Sequence, residues 1–507
     1  MPTGTYVVEV DWGNDGAFTG TGEAVTSRTL RVEFSRGRDV DSQLTGRSVA
    51  GTMQVLLNNQ SGDYNSFNST GSLYGSLLPG RLVQLRMTGP GTATGTLWRG
   101  YIERIIPKPS VKGLDTAIIE CIGPLGFLNQ KYVSIPMLTS AAGGSVIGTI
   151  LDEAGWSTAT GYRDLDAGQT TIRRIWINQE RALDAMRKVE ETEGGFLRES
   201  GSGGIVFEGR QRRMGGTYQT PQATFSDAAA GTVVYNVIEQ EDPLPFVFTE
   251  FIATITPYTL GATGTLWTLS DTGANSPVMG PSSTRTIWAD YPGATATTNA
   301  IAVDSWITPT ATTDYNITSD SAGTGTNLNT GVALTVRSYG NQFRMLFNNT
   351  GTRNAYLTTL NVRGVPLLRQ DRVLVSATST GTAFGTRTHP SKAEFIPDAN
   401  EAKDWADWNS AVYGTPAVRF SMQFIANRTT AMLTQAATRE ISHRITIVAT
   451  GSGNLGMTRE VYIEAMRHII DSDRTHTVIY YLSDGTQLSD GWALNTSDLG
   501  TRTRLMY

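Results

Sequence analysis

Between Tyr6 and Ile122 short apolar runs recur, each closed by Gly, Asn, Asp or Pro. Leu30-Arg31-Val32-Glu33-Phe34 alternates apolar with polar, and Leu82-Val83-Gln84-Leu85-Arg86-Met87 and Trp98-Arg99-Gly100-Tyr101-Ile102 are further runs. A period of two puts alternate side chains on opposite faces of a strand. Strands this short, at this spacing, must share a core with several neighbours, which points to a small barrel or sandwich over 1–140. Composition agrees. Gly is abundant at 54 of 507 residues and charged residues make up only 17%. The chain reads as mainly β.

The period changes over 141–215. Val146, Ile147, Ile150 and Leu151 follow helical spacing with Gly155 as a stop. A second helix is expected from a cap at Asn178 to Glu193, turning Ala182, Leu183, Met186 and Val189 inward and ending at Gly194-Gly195. Its other face carries Glu180, Arg187, Glu190 and Glu191, expected to be solvated. Phe196-Leu197-Arg198 and Ile205-Val206-Phe207-Glu208 flank a Ser/Gly turn and read as a hairpin. This stretch is a small α/β module. Residues 216–250 are expected to return to the main β core. The Thr-, Gly-, Ser- and Asn-rich stretch 251–385 reads as an inserted β-sandwich. In 386–507 strands return with one or two helices, one carrying Ala402, Trp405, Trp408 and Ala411, and the other over 430–439.

Several motifs invite a chemical reading. Gly451, Gly453 and Gly456 have G-x-G-x-x-G spacing after the apolar run Ile445–Ala449, and Asp484 sits where a ribose-binding acid belongs. A dinucleotide fold then needs further βαβ units, and only 23 residues follow Asp484. The upstream sequence is of antiparallel type, so a turn between strands is the favoured reading. Asp404 and Asp407 beside Trp405 and Trp408 resemble a glycosidase pair. On a helix, however, the carboxylates share one face and the indoles the other, buried one. His389, His443, His468 and His476 form no metal-ligand pattern. Asp471-Ser472-Asp473 lacks the later residues of a calcium loop. Cys121, the single cysteine, lies in an apolar strand and is expected to be a buried thiol without nucleophilic function. Trp288, Tyr291 and Trp306 offer stacking faces for a glycan, though core packing suits them better. No catalytic residue, cofactor-binding residue or metal ligand emerges, and an enzyme is not expected.

The net charge of −5 argues against electrostatic capture of nucleic acid. No apolar run approaches the ~20 residues of a membrane-spanning helix. The start, Met1 to Tyr6, has neither the basic residues nor the apolar core of a signal peptide.

Several segments together resemble the baseplate-hub, or minor tail, proteins of long-tailed bacteriophages. They are Leu56-Leu57-Asn58-Asn59-Gln60-Ser61-Gly62-Asp63-Tyr64-Asn65 with Leu78-Pro79-Gly80-Arg81, then Trp98-Arg99-Gly100-Tyr101-Ile102 with Ile119-Glu120-Cys121-Ile122-Gly123-Pro124-Leu125. Ala182 to Glu208 and Arg439 to Leu482 continue the series. The resemblance implies a homotrimer at the tail tip of the virion, assembled in the host cytoplasm. Each subunit would give two tube-type β-barrel domains to a ring that continues the tail tube. The implied partners are the distal tail protein, the C-terminus of the tape-measure protein, and receptor-binding or tail fibre proteins, with DNA only in transit. The alternative is a carbohydrate- or receptor-binding β-protein of the virion.

Overall fold

The computed structural model describes residues 4–485, apart from 40–46, 90–94, 229–232, 243, 245–246, 270–272, 294–296, 379–384, 392–393, 397, 415–417 and 452–454. The first six strands are β1 (Thr5–Val10), β2 (Thr29–Arg38), β3 (Ser48–Asn58), β4 (Leu82–Thr88), β5 (Gly95–Lys108) and β6 (Thr116–Ile122). The alternation is visible in their burial. Val83, Leu85 and Met87 of β4 and Ala117, Ile119 and Cys121 of β6 are buried while their neighbours are not. Each such aliphatic side chain, fully buried, contributes roughly 1.5–3 kcal/mol. Burial pushes the Cys121 thiol up, away from the reactive thiolate.

The chain then leaves the sheet. A short helix, α1 (Pro124–Leu128), leads to β7 (Tyr132–Ala142), α2 (Gly143–Glu153), β8 (Arg163–Leu165), β9 (Thr171–Arg181), α3 (Ala182–Glu193), β10 (Phe196–Glu199) and β11 (Ile205–Glu208). Strand β7 pairs with β9, and β10-β11-β8 form a second small sheet. α3 begins at Ala182, not Asn178. Asn178 lies inside β9, whose pairing with β7 continues to Arg181 and claims the backbone a cap would need. The helix ends as read: Gly194 takes φ +65° and its N–H donates to the Glu191 carbonyl.

Strands β12 (Thr224–Ser226) and β13 (Val237–Glu241) return to the main sheet. Next, β14 (Glu250–Ile255) leads into β15 (Tyr258–Leu260), β16 (Gly264–Leu269), β17 (Val278–Met279), β18 (Ser283–Asp290), β19 (Ala300–Ile307), β20 (Tyr315–Thr318), β21 (Val332–Ser338), β22 (Gln342–Asn349) and β23 (Ala355–Arg369). The long β23 organises one sheet, and β18-β22-β21 form another. Phe343, Met345 and Phe347 of β22 meet Leu357, Leu360 and Val362 of β23 in one core between them. β24 (Val373–Thr378) and β25 (Thr388–Ser391) flank β14, and that sheet packs on α4 (Ala399–Tyr413). Asp398 caps α4, accepting from the N–H of Asn400 and Glu401.

The last elements are β26 (Arg419–Ile425), α5 (Thr430–Thr438), β27 (Arg444–Ala449), β28 (Met457–Ile470) and β29 (His476–Asp484). They complete a twelve-stranded sheet in which β2 pairs antiparallel with β28, so the first and last strands of the chain share one sheet and one core. β28 is paired to β29 along one edge. Its other edge is shared, first with β27 and then with β2. The sheet therefore has two six-stranded halves. Isolated bridges join Glu9 of β1 to Ala24 in the first half and Ser226 of β12 to Val234 in the second.

The halves meet at Gly37. Its φ is +117°, and a Cβ there would stand 2.5 Å from the Glu464 carbonyl oxygen and from the Ala465 Cα. These are backbone atoms held by the ladder. Gly37→Ala is therefore expected to lower the urea midpoint by the equivalent of roughly 2–4 kcal/mol. An unchanged midpoint would show that the seam does not need close approach.

Candidate functional site

The sequence candidates scatter. Ile445–Ala449 is β27, antiparallel to β28, and the glycines fall on the connection between them. Gly456 has φ +67° and the Gly451 N–H donates to Asp227; Gly453 lies outside the described residues. Asp484 is paired with Arg459 at 2.9 Å. An antiparallel hairpin with no following helix has no phosphate-binding helix terminus, so the stretch is a turn. Asp404 and Asp407 are exposed, Lys403 holds Asp407, and Trp405 and Trp408 are buried on the other side of α4. Asp473 accepts from both the N–H and the hydroxyl of Thr475 within the β28–β29 turn. Among the described residues no three His, Cys, Asp or Glu side chains converge as metal ligands. No helix described is long and apolar enough to cross a membrane. Tyr291 is buried, and the Trp306 indole donates to the Tyr339 carbonyl, whereas Trp288 is 45% exposed.

The face of α3 expected in water is partly buried instead. Arg187 and Glu190 are both buried and paired at 2.7 Å. Arg187 also donates to the carbonyls of Leu197 and Ser48, and Glu190 accepts the Leu197 N–H. Of the four residues read as a solvated face, Arg187 and Glu190 in fact tie the helix to β10 and to the start of β3, while Glu191 is half-buried and Glu180 lies in β9. The sequence shows no sign that a second layer covers that face.

A larger buried cluster lies beside it. Arg36 pairs with Glu440, Arg198 with Glu208 at 2.7 Å, and Arg213 with both oxygens of Glu464 at 2.5 and 2.9 Å. Arg38 reaches Glu464 at 3.3 Å and lies over the Phe196 ring at 3.9 Å. Ser442 donates to Glu208 and Ser483 to Glu464. These residues come from β2, the β10–β11 hairpin, the segment after it, the α5–β27 connection, β28 and β29. The cluster thus clamps the α/β module onto the seam between the sheet halves. Burial alone would push Glu464 and Glu440 up. The guanidiniums of Arg213 and Arg38 around Glu464, and of Arg36 and Arg198 around Glu440, overcome it and hold each at about 2. Sequence reasoning missed the cluster. Its one visible trace is Arg36 and Arg38, which continue the buried register of Val32 and Phe34.

Nearby, Tyr6, His476 and His468 form a buried chain. The Tyr6 hydroxyl is 2.9 Å from His476 Nδ1, and His476 Nε2 is 3.0 Å from His468 Nδ1. Phe34 stacks on His468. Burial lowers both imidazoles, His476 to about 3.

The surface has one unusual loop. From Asn59 to Tyr74 five β-turns succeed one another, with Gly62, Asn65, Asn68, Gly71 and Tyr74 each donating its N–H to the carbonyl three residues back. The side chains of Asn59, Asn65 and Asn68 accept further backbone N–H groups, and Asp63 pairs with Arg28 at 2.7 Å. Tyr64, Leu73 and Leu77 anchor the coil in the core. Phe67 is left 93% exposed and Tyr74 55%. A loop so fully hydrogen-bonded holds these rings out at little ordering cost on binding.

The whole architecture has counterparts. The 43 kDa tail protein of prophage MuSo2 from Shewanella oneidensis superposes with a TM-score of 0.50 at 9% identity, over 95% of this chain and 98% of that one. A tail protein from Neisseria meningitidis MC58 gives 0.52 at 9% identity, over 96% and 98%. The chain has the fold of these phage-type tail proteins. No protein-family model and no curated protein sequence matches it. At 9% identity the likeness is one of fold, and none of the residues singled out above inherits a role from it.

Proposed function

We propose that the protein is a structural subunit of a phage tail tip. Three copies close into a ring on the tail axis, continue the tail tube, and let DNA pass through the lumen of the virion. The distal tail protein, the tape-measure C-terminus and the receptor-binding or tail fibre proteins are its neighbours, and no catalytic step is assigned to it. The observation that carries this reading is the tail-protein fold over nearly the full length of both chains compared. The net charge of −5 suits a conduit, since every phosphate contact in a basic lumen would retard the passing polymer.

Negative-stain imaging and native mass measurement of the purified protein with its neighbours test the reading. The expected result is a three-fold ring with a central channel. A chain that stays monomeric under those conditions overturns it.

The turn coil is the surface we assign to contacts with neighbours in the tail. Because the Phe67 ring touches mainly solvent, Phe67→Ser is expected to leave the melting temperature unchanged while weakening assembly roughly tenfold. Equal assembly by both proteins, measured by sedimentation, would remove the coil from the interface. The alternative reading, a glycan- or receptor-binding protein, is favoured by the partial exposure of Trp288.

A further inference from the structure

We infer that the outer face of the β18-β22-β21 sheet binds a neutral oligosaccharide, with Trp288 as its stacking platform. The register sets the site. Trp288 lies directly opposite Arg344, and Arg344 opposite Arg337, so the three cross the strands in one line. At about 5 Å per strand this line is long enough for roughly two pyranose rings. One step along, Asp290 stands opposite Gln342, whose amide donates to the Asp290 carboxylate at 3.0 Å. The inward residues of the same strands, Ala289, Phe343, Met345 and Phe347, are buried in the sandwich core. Trp288 is on the other face and nearly half exposed.

The indole is also held. Tyr339 lies against it at 24° and 6.2 Å between centroids, and the Tyr339 carbonyl accepts the Trp306 indole N–H. The Arg344 guanidinium lies over the Trp288 ring, 6.0 Å from its centre. A fixed aromatic plane beside a guanidinium donor, a carboxylate acceptor and an amide of both kinds matches a pyranose. Such a sugar has an apolar C–H face and hydroxyls that both donate and accept at its rim.

Charge selects among occupants. Arg337 is paired with Glu153 of α2 at 2.9 Å, and the Asp290 carboxylate stands one step along the strands from Arg344. The line thus has no excess of positive charge to attract a polyanion. A protein partner would need more apolar area than one indole and the half-buried Leu346, set among Thr286, Thr335 and Gln342, provide. The inference does not rest on the ring proposed above. It can fail while that reading stands, and the reverse.

The test is titration of the full chain with maltohexaose, cellohexaose and chitohexaose. Binding is read by tryptophan fluorescence and calorimetry, with a heparin hexasaccharide as the acidic control. At least one neutral hexasaccharide is expected to bind in the micromolar to millimolar range. Trp288→Ala and Arg344→Ala should each weaken it at least roughly tenfold without lowering the melting temperature, and Trp288→Phe should keep part of the affinity. Three outcomes would overturn the inference: no binding by any neutral sugar at millimolar concentration, binding that survives Trp288→Ala, or binding of the acidic control alone.

Discussion

Glu464→Gln is expected to destabilise the protein by about 3–5 kcal/mol, the range for breaking a buried ion pair by removing one partner. Glu464 is fully buried, holds Arg213 through two hydrogen bonds, reaches Arg38 and accepts from Ser483. Glutamine keeps the shape and loses the charge, so Arg213 and Arg38 are left in a dry site without their shared counterion. Urea unfolding followed by tryptophan fluorescence should show the midpoint fall. Replacing Arg213 and Glu464 together with methionine should recover part of the loss, because a buried pair and an apolar pair of similar volume are close in stability. A single variant that unfolds where the wild type does would mean that the cluster is solvated in solution.

Mild acid is expected to have an effect of similar size. His443, His468 and His476 are all held below the ordinary histidine range by burial, His443 at about 4 and His476 at about 3. Once unfolded, each imidazole takes up a proton near pH ~6.5. Between there and pH ~4.5 the unfolded chain therefore binds protons at these imidazoles, and at His389, which burial also lowers, that the folded chain takes up less readily, and stability falls as pH falls. Two groups oppose this. Burial raises Glu199 to about 7, against the pull of the Leu125 and Gly51 N–H groups, so over this range the folded state already holds a proton that the unfolded chain binds only near pH ~4.5. Burial also raises the Glu401 carboxyl. The four lowered imidazoles outweigh the two raised carboxylates, and roughly 3–5 kcal/mol is lost from pH 6.5 to 4.5. Below pH ~4.5 the carboxylates of Glu440 and Glu464, held at about 2, add a second loss. Urea midpoints at pH 7.5, 6, 5 and 4.5 check this. A flat profile down to pH 5 would show that water reaches the histidines in the native state.

Much of the fold was legible because it depends on alternation and turns. β4, β6 and β29 bury every second side chain, and Gly194 stops α3 where its φ requires glycine. That the glycines from Gly451 to Gly456 belong to a turn was legible from the antiparallel-type strands on either side of them. Pairings between distant segments were not legible. That β2 lies against β28, rather than closing only with its own half, depends on partners hundreds of residues away, which leave no local period. The charged residues of the clamp were missed for the same reason. Arg187 and Glu190 occur at spacings common on wet helices, and only the covering hairpin makes them interior. Trp288 went the opposite way. Its strand alternates, but nothing local says which of two sheets covers which face.

The β2–β28 pairing also constrains how the protein is made. Glu33 and Arg467, which meet across that ladder, stand 434 residues apart. At ~5–20 residues per second of translation, the outer edge of β2 waits about 20–90 s for its partner. A strand edge left open that long on neighbouring ribosomes can pair with a sister nascent chain instead. Slow emergence of the last hairpin should therefore favour tangled dimers over correctly folded subunits, and yield in the cell should rise when synthesis is sparse or a holdase covers that strand.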